Sequence, residues 1–302
     1  MTIDRRSYRA RVVEGAARIA EERKLAKEVA VKSDTEWTLV LNVTSEPGTR
    51  VPPHVTMSKR EFTTILERVG HAAAREDNRP ILTCLNWVAN GETLTVAAAN
   101  GFVLATYTMP LVSEPFTWLL ELEPLRKLKF GKAKQIEIIQ VAADKLTING
   151  IDVYMFPGKF PDLAHLLPAS FAQSFEIETV DFGVRVEDAL YAIKAATPEK
   201  QPGKRREQLD PFIALSWSVD TLTITPVLYD ANGKERTDVE SFVMPFAPDG
   251  VYGHIRLNGA MLHAALLHAP ETVTFAFNSS VQPFALTAPG WMHLQMPVNK
   301  QR

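Results

Sequence analysis

The sequence predicts an α+β fold built from two duplicated domains, and three observations carry that expectation. The first is the stretch from Arg79 to Ala105, RPILTCLNWVANGETLTVAAANGFVLA, with Asn-Gly pairs at Asn90-Gly91 and Asn100-Gly101. Each pair suits the central positions of a type I′ hairpin turn, which need positive φ. Between them Thr93 to Ala99 alternates, placing Leu94, Val96 and Ala98 on one face, and the flanks Ile81–Ala89 and Phe102–Met109 are apolar and β-branched. This reads as a three-stranded antiparallel meander with one face buried. The second observation is Ser58-Lys59-Arg60-Glu61, a capping box opening an amphipathic helix. The third is that the order of strands and helices in residues 54–171 recurs in residues 172–302.

Taken in order, residues 1–32 predict a charged helix with Arg5, Arg6, Arg9, Arg11, Arg18, Arg23, Lys24, Lys27 and Lys32. A solvated helix and an arm touching nucleic-acid phosphates are both open readings of it. Trp37–Val43 is a short strand candidate, and Ser45–Pro53 is a turn-rich linker, so residues 1–53 form an extension. His54–Met57 reads as a strand. The capping box then starts a helix with Phe62, Ile65, Leu66, Val69 and Ala73 on one face and Lys59, Arg60, Arg68, His71 and Arg75 on the other. After the meander come a second helix, Leu122–Phe130, and strands at Ile136–Val141, Lys145–Asn149 and Asp152–Phe156. A loop, Gly158-Lys159-Phe160-Pro161-Asp162, leads to Leu166-Leu167-Pro168.

The second half reads Ser174–Glu178 as strand and Val184–Ala196 as helix, then Phe212–Ser218, Thr221–Leu228 and Val239–Pro245 as strands, with Asn232-Gly233 at a turn. His254–Leu257 leads into a helix over Gly259–His268. Thr272–Phe277, Pro283–Thr287 and Met292–Met296 close the chain as strands.

Composition bounds the function. At 302 residues the chain has room for two domains, and a net charge of −2 gives no global basic field. One cysteine, Cys84, excludes an internal disulfide framework and fits a reducing compartment. No apolar run approaches the ~18 residues of a membrane span and no secretory leader is evident, so the expectation is a cytosolic protein without membrane contact.

Catalytic patterns are missing. Gly131-Lys132 and Gly203-Lys204 lack the upstream glycine and the following Ser or Thr of a phosphate-binding loop. His263 and His268 are not in HExxH, and Cys84, flanked by Thr83 and Leu85, reads as a core thiol. The expectation is a non-enzyme with no catalytic residues, no metal and no cofactor.

Several short motifs resemble one family, the bacterial DNA polymerase III β sliding clamps. Ala-Asn-Gly-Phe-Val-Leu-Ala, ending at Ala105, is similar to the family's Asp-Gly-His-Arg-Leu-Ala. Lys159-Phe160-Pro161-Asp162 with Pro168 resembles its Gly-Arg-Phe-Pro-Asp-Tyr segment. Gln295-Met296-Pro297-Val298 resembles the Val-Met-Pro-Met-Arg-Leu ending, and Leu257-Asn258 the Phe-Asn start of the last helix. The resemblance covers about residues 54–298 and implies the sliding-clamp fold. Residues 54–171 would correspond to the family's second domain and 172–302 to its third, with residues 1–53 in place of the first.

What the resemblance implies is a processivity factor that encircles duplex DNA without sequence specificity and holds a polymerase or clamp loader by their clamp-binding peptide motifs, in the cytoplasm at the nucleoid. The positions matching the family's partner-peptide pocket are Leu82, Gly101, Phe102, Val103, Leu104, Pro168, Met296, Pro297 and Val298, with Phe102 and Val103 standing where His and Arg are usual. A glycine for close approach, a flexible Met and rigid Pro suit an apolar groove. The cations expected to face DNA phosphates are Lys59, Arg60, Arg68, Arg75, Arg126, Lys127 and Lys129, then Lys194, Lys200, Lys204 and Arg205. Family rings contain six such domains, so two per chain would close as a homotrimer in preference to a dimer, with head-to-tail contacts. The alternative is a clamp-derived protein that closes no ring and binds replication or repair partners or modulates a clamp. A DNA-binding regulator using the N-terminal helix ranks last, without a helix-turn-helix.

Overall fold

A computed structural model describes residues 53–75, 78–163, 166–196, 210–218, 220–230, 233–245 and 252–298. The expected N-terminal helix, the Trp37–Val43 strand and all of the linker but Pro53 lie outside the described residues. The chain is mixed α+β, dominated by antiparallel sheets, and divides into two compact units. One holds residues 53–173 with Ala276–Pro297; the other holds Ser174–Phe275 with Val298.

In the first unit, β1 (His54–Ser58) runs into α1 (Lys59–Gly70) through the expected capping box. The Glu61 amide donates to Ser58 Oγ at 3.1 Å, and the Ser58 amide donates to Glu61 Oε2 at 2.6 Å. Phe62, Ile65, Leu66 and Val69 are buried, with Phe62 tilted against Trp87 at 5.9 Å. Each such burial contributes about 1.5–3 kcal/mol. A 3-10 turn (Pro80–Thr83) precedes β2 (Cys84–Ala89), so the strand starts later than Ile81, because Pro80 sets helical φ at the turn's first position. Next come β3 (Thr93–Ala99), β4 (Val103–Pro110) and β5 (Phe116–Glu121). The strand β5 pairs with β2 from Cys84↔Glu121 to Ala89↔Phe116. No alternation announces it, since Trp118-Leu119-Leu120 is continuously apolar.

The meander is buried on both faces, not one: Ala97 and Ala99 are as enclosed as Leu94 and Val96. The small-residue face is covered by a cluster containing Leu82, Cys84, Leu104, Leu119 and Phe160. The two Asn-Gly turns also depart from type I′. Only the glycines have positive φ, 111° at Gly91 and 91° at Gly101. Each asparagine stands one position earlier, where Oδ1 accepts two amides: Glu92 and Thr93 on Asn90, Phe102 and Val103 on Asn100. The turn with positive φ at both central residues is a third pair, Asn149-Gly150, at 49° and 78°.

The helix α2 spans Leu122–Lys127 and stops short of Phe130. Then β6 (Gln135–Ala142), β7 (Lys145–Ile148) and β8 (Ile151–Tyr154) form a sheet ordered β1-β6-β7-β8. The hairpin β15 (Phe284–Ala288) and β16 (Trp291–Gln295) extends the other sheet in the order β5-β2-β3-β4-β16-β15.

In the second unit, β9 (Gln173–Glu178) leads to α3 (Thr179–Ala196), which begins five residues ahead of the expected Val184. Thr179 anchors that start, its hydroxyl donating to the Pro270 carbonyl at 2.5 Å. The strands β10 (Phe212–Trp217), β11 (Thr221–Pro226), β12 (Phe242–Pro245) and β13 (Gly253–Asn258) form a sheet ordered β12-β11-β10-β13. The helix α4 (Gly259–Leu266) is capped by Asn258, whose Oδ1 accepts from the Met261 amide at 3.1 Å, and β14 (Thr272–Phe277) pairs with β9. Gly253 is obligatory: a Cβ there would overlap the Trp217 indole.

Candidate apolar groove and cationic helix face

Four segments of the first unit converge on a cavity of about 160 Å³, one of them the loop that carries Pro161, Leu163 and Leu166. The Pro80–Thr83 turn brings Leu82, held by the Thr83 hydroxyl donating to the Pro80 carbonyl at 2.7 Å. The Asn100–Val103 turn brings Gly101, Phe102 and Val103, and β4 adds Leu104. The end of β16 contributes Leu294 and Met296, aligned by the pairs Val103↔Gln295 and Leu104↔Leu294. Past Gln295 the Met296 amide donates to the Phe102 carbonyl at 2.9 Å. That bond sets Phe102, 63% exposed, and Met296, 38% exposed, side by side at the mouth.

Of the positions expected from sequence, Leu82, Gly101, Phe102, Val103, Leu104 and Met296 line this cavity. Pro168, Pro297 and Val298 do not. Pro168 and Pro297 are half-buried in the first unit, whereas Val298 belongs to the second, its amide donating to Arg256 O at 2.8 Å. Gly101 serves backbone conformation rather than close approach, for a Cβ would meet only Arg79 Nη1, at an ordinary 3.5 Å. The structure adds Arg79, Ala99, Pro161, Leu163, Leu166 and Leu294 to the lining. Pro161 and Leu166 were legible as parts of the Phe-Pro-Asp loop and the following Leu-Leu-Pro. Arg79 carried no pattern of its own.

The lining is apolar apart from Arg79. Cys84, in the core cluster beneath Leu82, has its thiol pushed up to about 11, mainly by burial, and is not a thiolate at neutral pH. Among the described residues no group of three or more His, Cys, Asp or Glu is placed to hold a metal.

The expected phosphate-facing cations concentrate on α1, α2 and their flanks. Lys59, Arg60, Arg75, Arg126, Lys127 and Lys129 are exposed there and Arg68 is half-buried. Lys59 Nζ donates to the Gly131 carbonyl at 3.1 Å, and Arg126 pairs with Glu123 at 3.2 Å. The two helices meet closely at Gly70, where a Cβ would come within 2.9 Å of Arg126 Nη2. In the second unit α3 carries Arg185 and Lys194 against Asp181, Glu187 and Asp188, with Lys194 exposed. Lys200, Lys204 and Arg205 lie outside the described residues. The helix α4 has no Lys or Arg, and burial holds its His263 below the usual histidine range.

No protein-family model and no curated protein matches the sequence. Solved structures do match. The β subunit of DNA polymerase from Streptococcus pyogenes aligns with TM-score 0.68 at 18% identity, over 86% of this chain and 68% of that one. The DNA polymerase III β subunit of Thermotoga maritima aligns with TM-score 0.68 at 15% identity, over 88% and 69%. That of Pseudomonas aeruginosa aligns with TM-score 0.68 at 18% identity, over 85% and 69%. The architecture is therefore that of the DNA polymerase III β sliding clamps. Among the described residues no helix is long and apolar enough to cross a membrane.

Proposed function

We propose that this chain is a DNA sliding clamp: a non-catalytic processivity factor whose ring retains duplex DNA and whose apolar groove tethers a polymerase or a clamp loader. The observation that carries the reading is the groove at the β4–β16 junction, opening through Phe102 and Met296, in a chain whose clamp fold runs over most of its length. Retention by encirclement needs no base contact. It asks only for cations that meet phosphates weakly, which Lys59, Arg60, Arg126, Lys127 and Lys129 supply. The groove asks for a partner segment with apolar side chains, in keeping with its Leu, Val, Phe and Met walls. Tethering then raises the polymerase's local concentration at the primer end without any new contact to DNA.

A second reading has its own support. The acids of α3 and the lack of Lys and Arg on α4 leave the second unit's helices poorly suited to a phosphate-lined bore. That pattern favours a clamp-derived interaction protein that uses the groove without closing a ring. Solution mass by light scattering across micromolar concentrations separates the two. Two clamp-like units per chain would close a ring of the six-domain type as a trimer, with three times the 33.6 kDa chain mass. A strict monomer at every concentration would overturn a ring closed by copies of this chain alone and favour the interaction protein.

A further inference from the structure

We infer that Asn100-Gly101 is a self-modifying site, where the chain converts Asn100 to aspartate and isoaspartate without an enzyme, and that Arg79 promotes the conversion. The inference stands whatever the groove holds. Asparagine before glycine is the pair in which this reaction meets least steric resistance, because no Cβ shields the attacking amide. The Gly101 amide nitrogen gives its proton to solvent and attacks Asn100 Cγ. A C–N bond forms, the Cγ–Nδ2 bond breaks, and Nδ2 takes a solvent proton and leaves as ammonia. The resulting succinimide then takes up a water molecule. Opening at Cγ yields aspartate; opening at the backbone carbonyl yields isoaspartate, whose main chain runs through Cγ. No atom is oxidised or reduced.

Asn-Gly also occurs at Asn90, Asn149 and Asn258 among the described residues, and the structure ranks these sites. At Asn258 the attacking group is withheld: Gly259 is buried and its amide donates to the Pro211 carbonyl at 2.7 Å. At Asn149 the side chain is pinned across to β6, with Oδ1 accepting the Glu137 amide at 2.7 Å and Nδ2 donating to the Gln135 carbonyl at 3.2 Å. Asn90 and Asn100 instead fold over their own following peptides, each Oδ1 accepting the amides two and three residues on. Those donors stand where charge builds on Oδ1 as the amide attacks, the arrangement of an oxyanion hole. The Asn90 turn adds the Thr93 hydroxyl at 3.1 Å, but the Ser113 amide braces the Gly91 carbonyl at 3.3 Å and the Glu92 carboxylate follows. Beside the exposed Gly101 stands a cation, Arg79 Nη1 lying 3.5 Å from where a Cβ would be. That charge favours both the deprotonated amide and the oxyanion, whereas Glu92 opposes them at the other turn.

Peptide mass spectrometry on the full chain tests this, reading the mass gained when amide nitrogen is exchanged for oxygen. The chain is held in mildly alkaline buffer, folded and in denaturant, and the folded rate at each site is divided by its denatured rate. The expected ratio is highest at Asn100 and about tenfold above Asn149 and Asn258, as the hydrogen bonds holding those two imply. Arg79→Gln lowers the Asn100 ratio about threefold, as removal of one exposed charge supplies, and leaves Asn90 as before. Arg79→Lys, which keeps the charge, restores most of the rate. The Asn100 peptide should hold isoaspartate together with aspartate, since both come from the succinimide. Aspartate alone, a ratio at Asn100 no higher than at Asn90 or Asn149, or a ratio that Arg79→Gln leaves unaltered overturns the inference. None of these results bears on whether the groove holds a partner.

Discussion

The Met296 amide and the Phe102 carbonyl, 2.9 Å apart, join the end of β16 to the turn before β4. Sequence separates these residues widely, yet this bond makes them neighbours and turns two exposed apolar side chains into one exposed apolar edge. The turn that presents Phe102 depends on Asn100, whose Oδ1 accepts the amides of Phe102 and Val103 at 3.0 Å each. Asn100→Ala is therefore expected to lower stability by about 1–2 kcal/mol, as loss of these acceptors implies. It should also weaken peptide binding more than Asn90→Ala, which disturbs the equivalent turn away from the groove. Chemical denaturation and anisotropy on both variants measure the two effects.

Gly253→Ala is expected to destabilise by about 1–3 kcal/mol, because the added methyl overlaps the Trp217 indole. The denaturation midpoint should fall, and near-ultraviolet circular dichroism should change with the Trp217 environment. Gly233→Ala, with nothing near its Cβ, reports the cost of positive φ alone and should be milder.

Acid should destabilise the chain through His293. Its Nδ1 lies 3.1 Å from His71 Nε2 and its Nε2 lies 3.3 Å from Gln295 Oε1. Burial depresses its pKa from 6.5 to about 4, while the Gln295 contact opposes the shift. The unfolded chain thus takes up the proton first as pH falls. Stability is intact above 6.5, declines between 6.5 and about 4, and levels off below. The gap corresponds to about 3 kcal/mol at most, and His263 adds in the same direction. Denaturation at a series of pH values should show this slope, and His293→Gln should flatten part of it.

Replacing Arg126, Lys127 and Lys129 together by Gln should weaken duplex binding equally for unrelated sequences. The slope of log affinity against log salt should fall by about one per lost phosphate contact. Sequence-dependent losses would contradict a backbone-directed role. The same change on α3, Lys194→Gln, should do less, because Asp181, Glu187 and Asp188 share that helix.

Local rules made much of the fold legible. The Ser58–Glu61 box, the apolar stripe of α1 and the Thr272–Phe277 strand all follow from residues close in sequence. What local pattern cannot show is which faces are covered later. Ala97 and Ala99 look like the outer side of a meander until Phe160 closes over them. The groove was legible where its residues sit in motifs, as at Leu82, Gly101–Leu104 and Met296. Arg79 escaped because one arginine before a proline has no periodicity to betray its place, and Pro168, Pro297 and Val298 were expected only because their segments resemble the family's pocket motifs.

Encirclement is the claim with the most to lose. The full chain would be incubated with a nicked circular plasmid, then passed over a sizing column in salt high enough to strip phosphate contacts. The account predicts that protein co-elutes with the circle and is lost when the same DNA is cut once, since a ring slides off a free end. Equal retention on circular and linear DNA, or no retention on either, would contradict it.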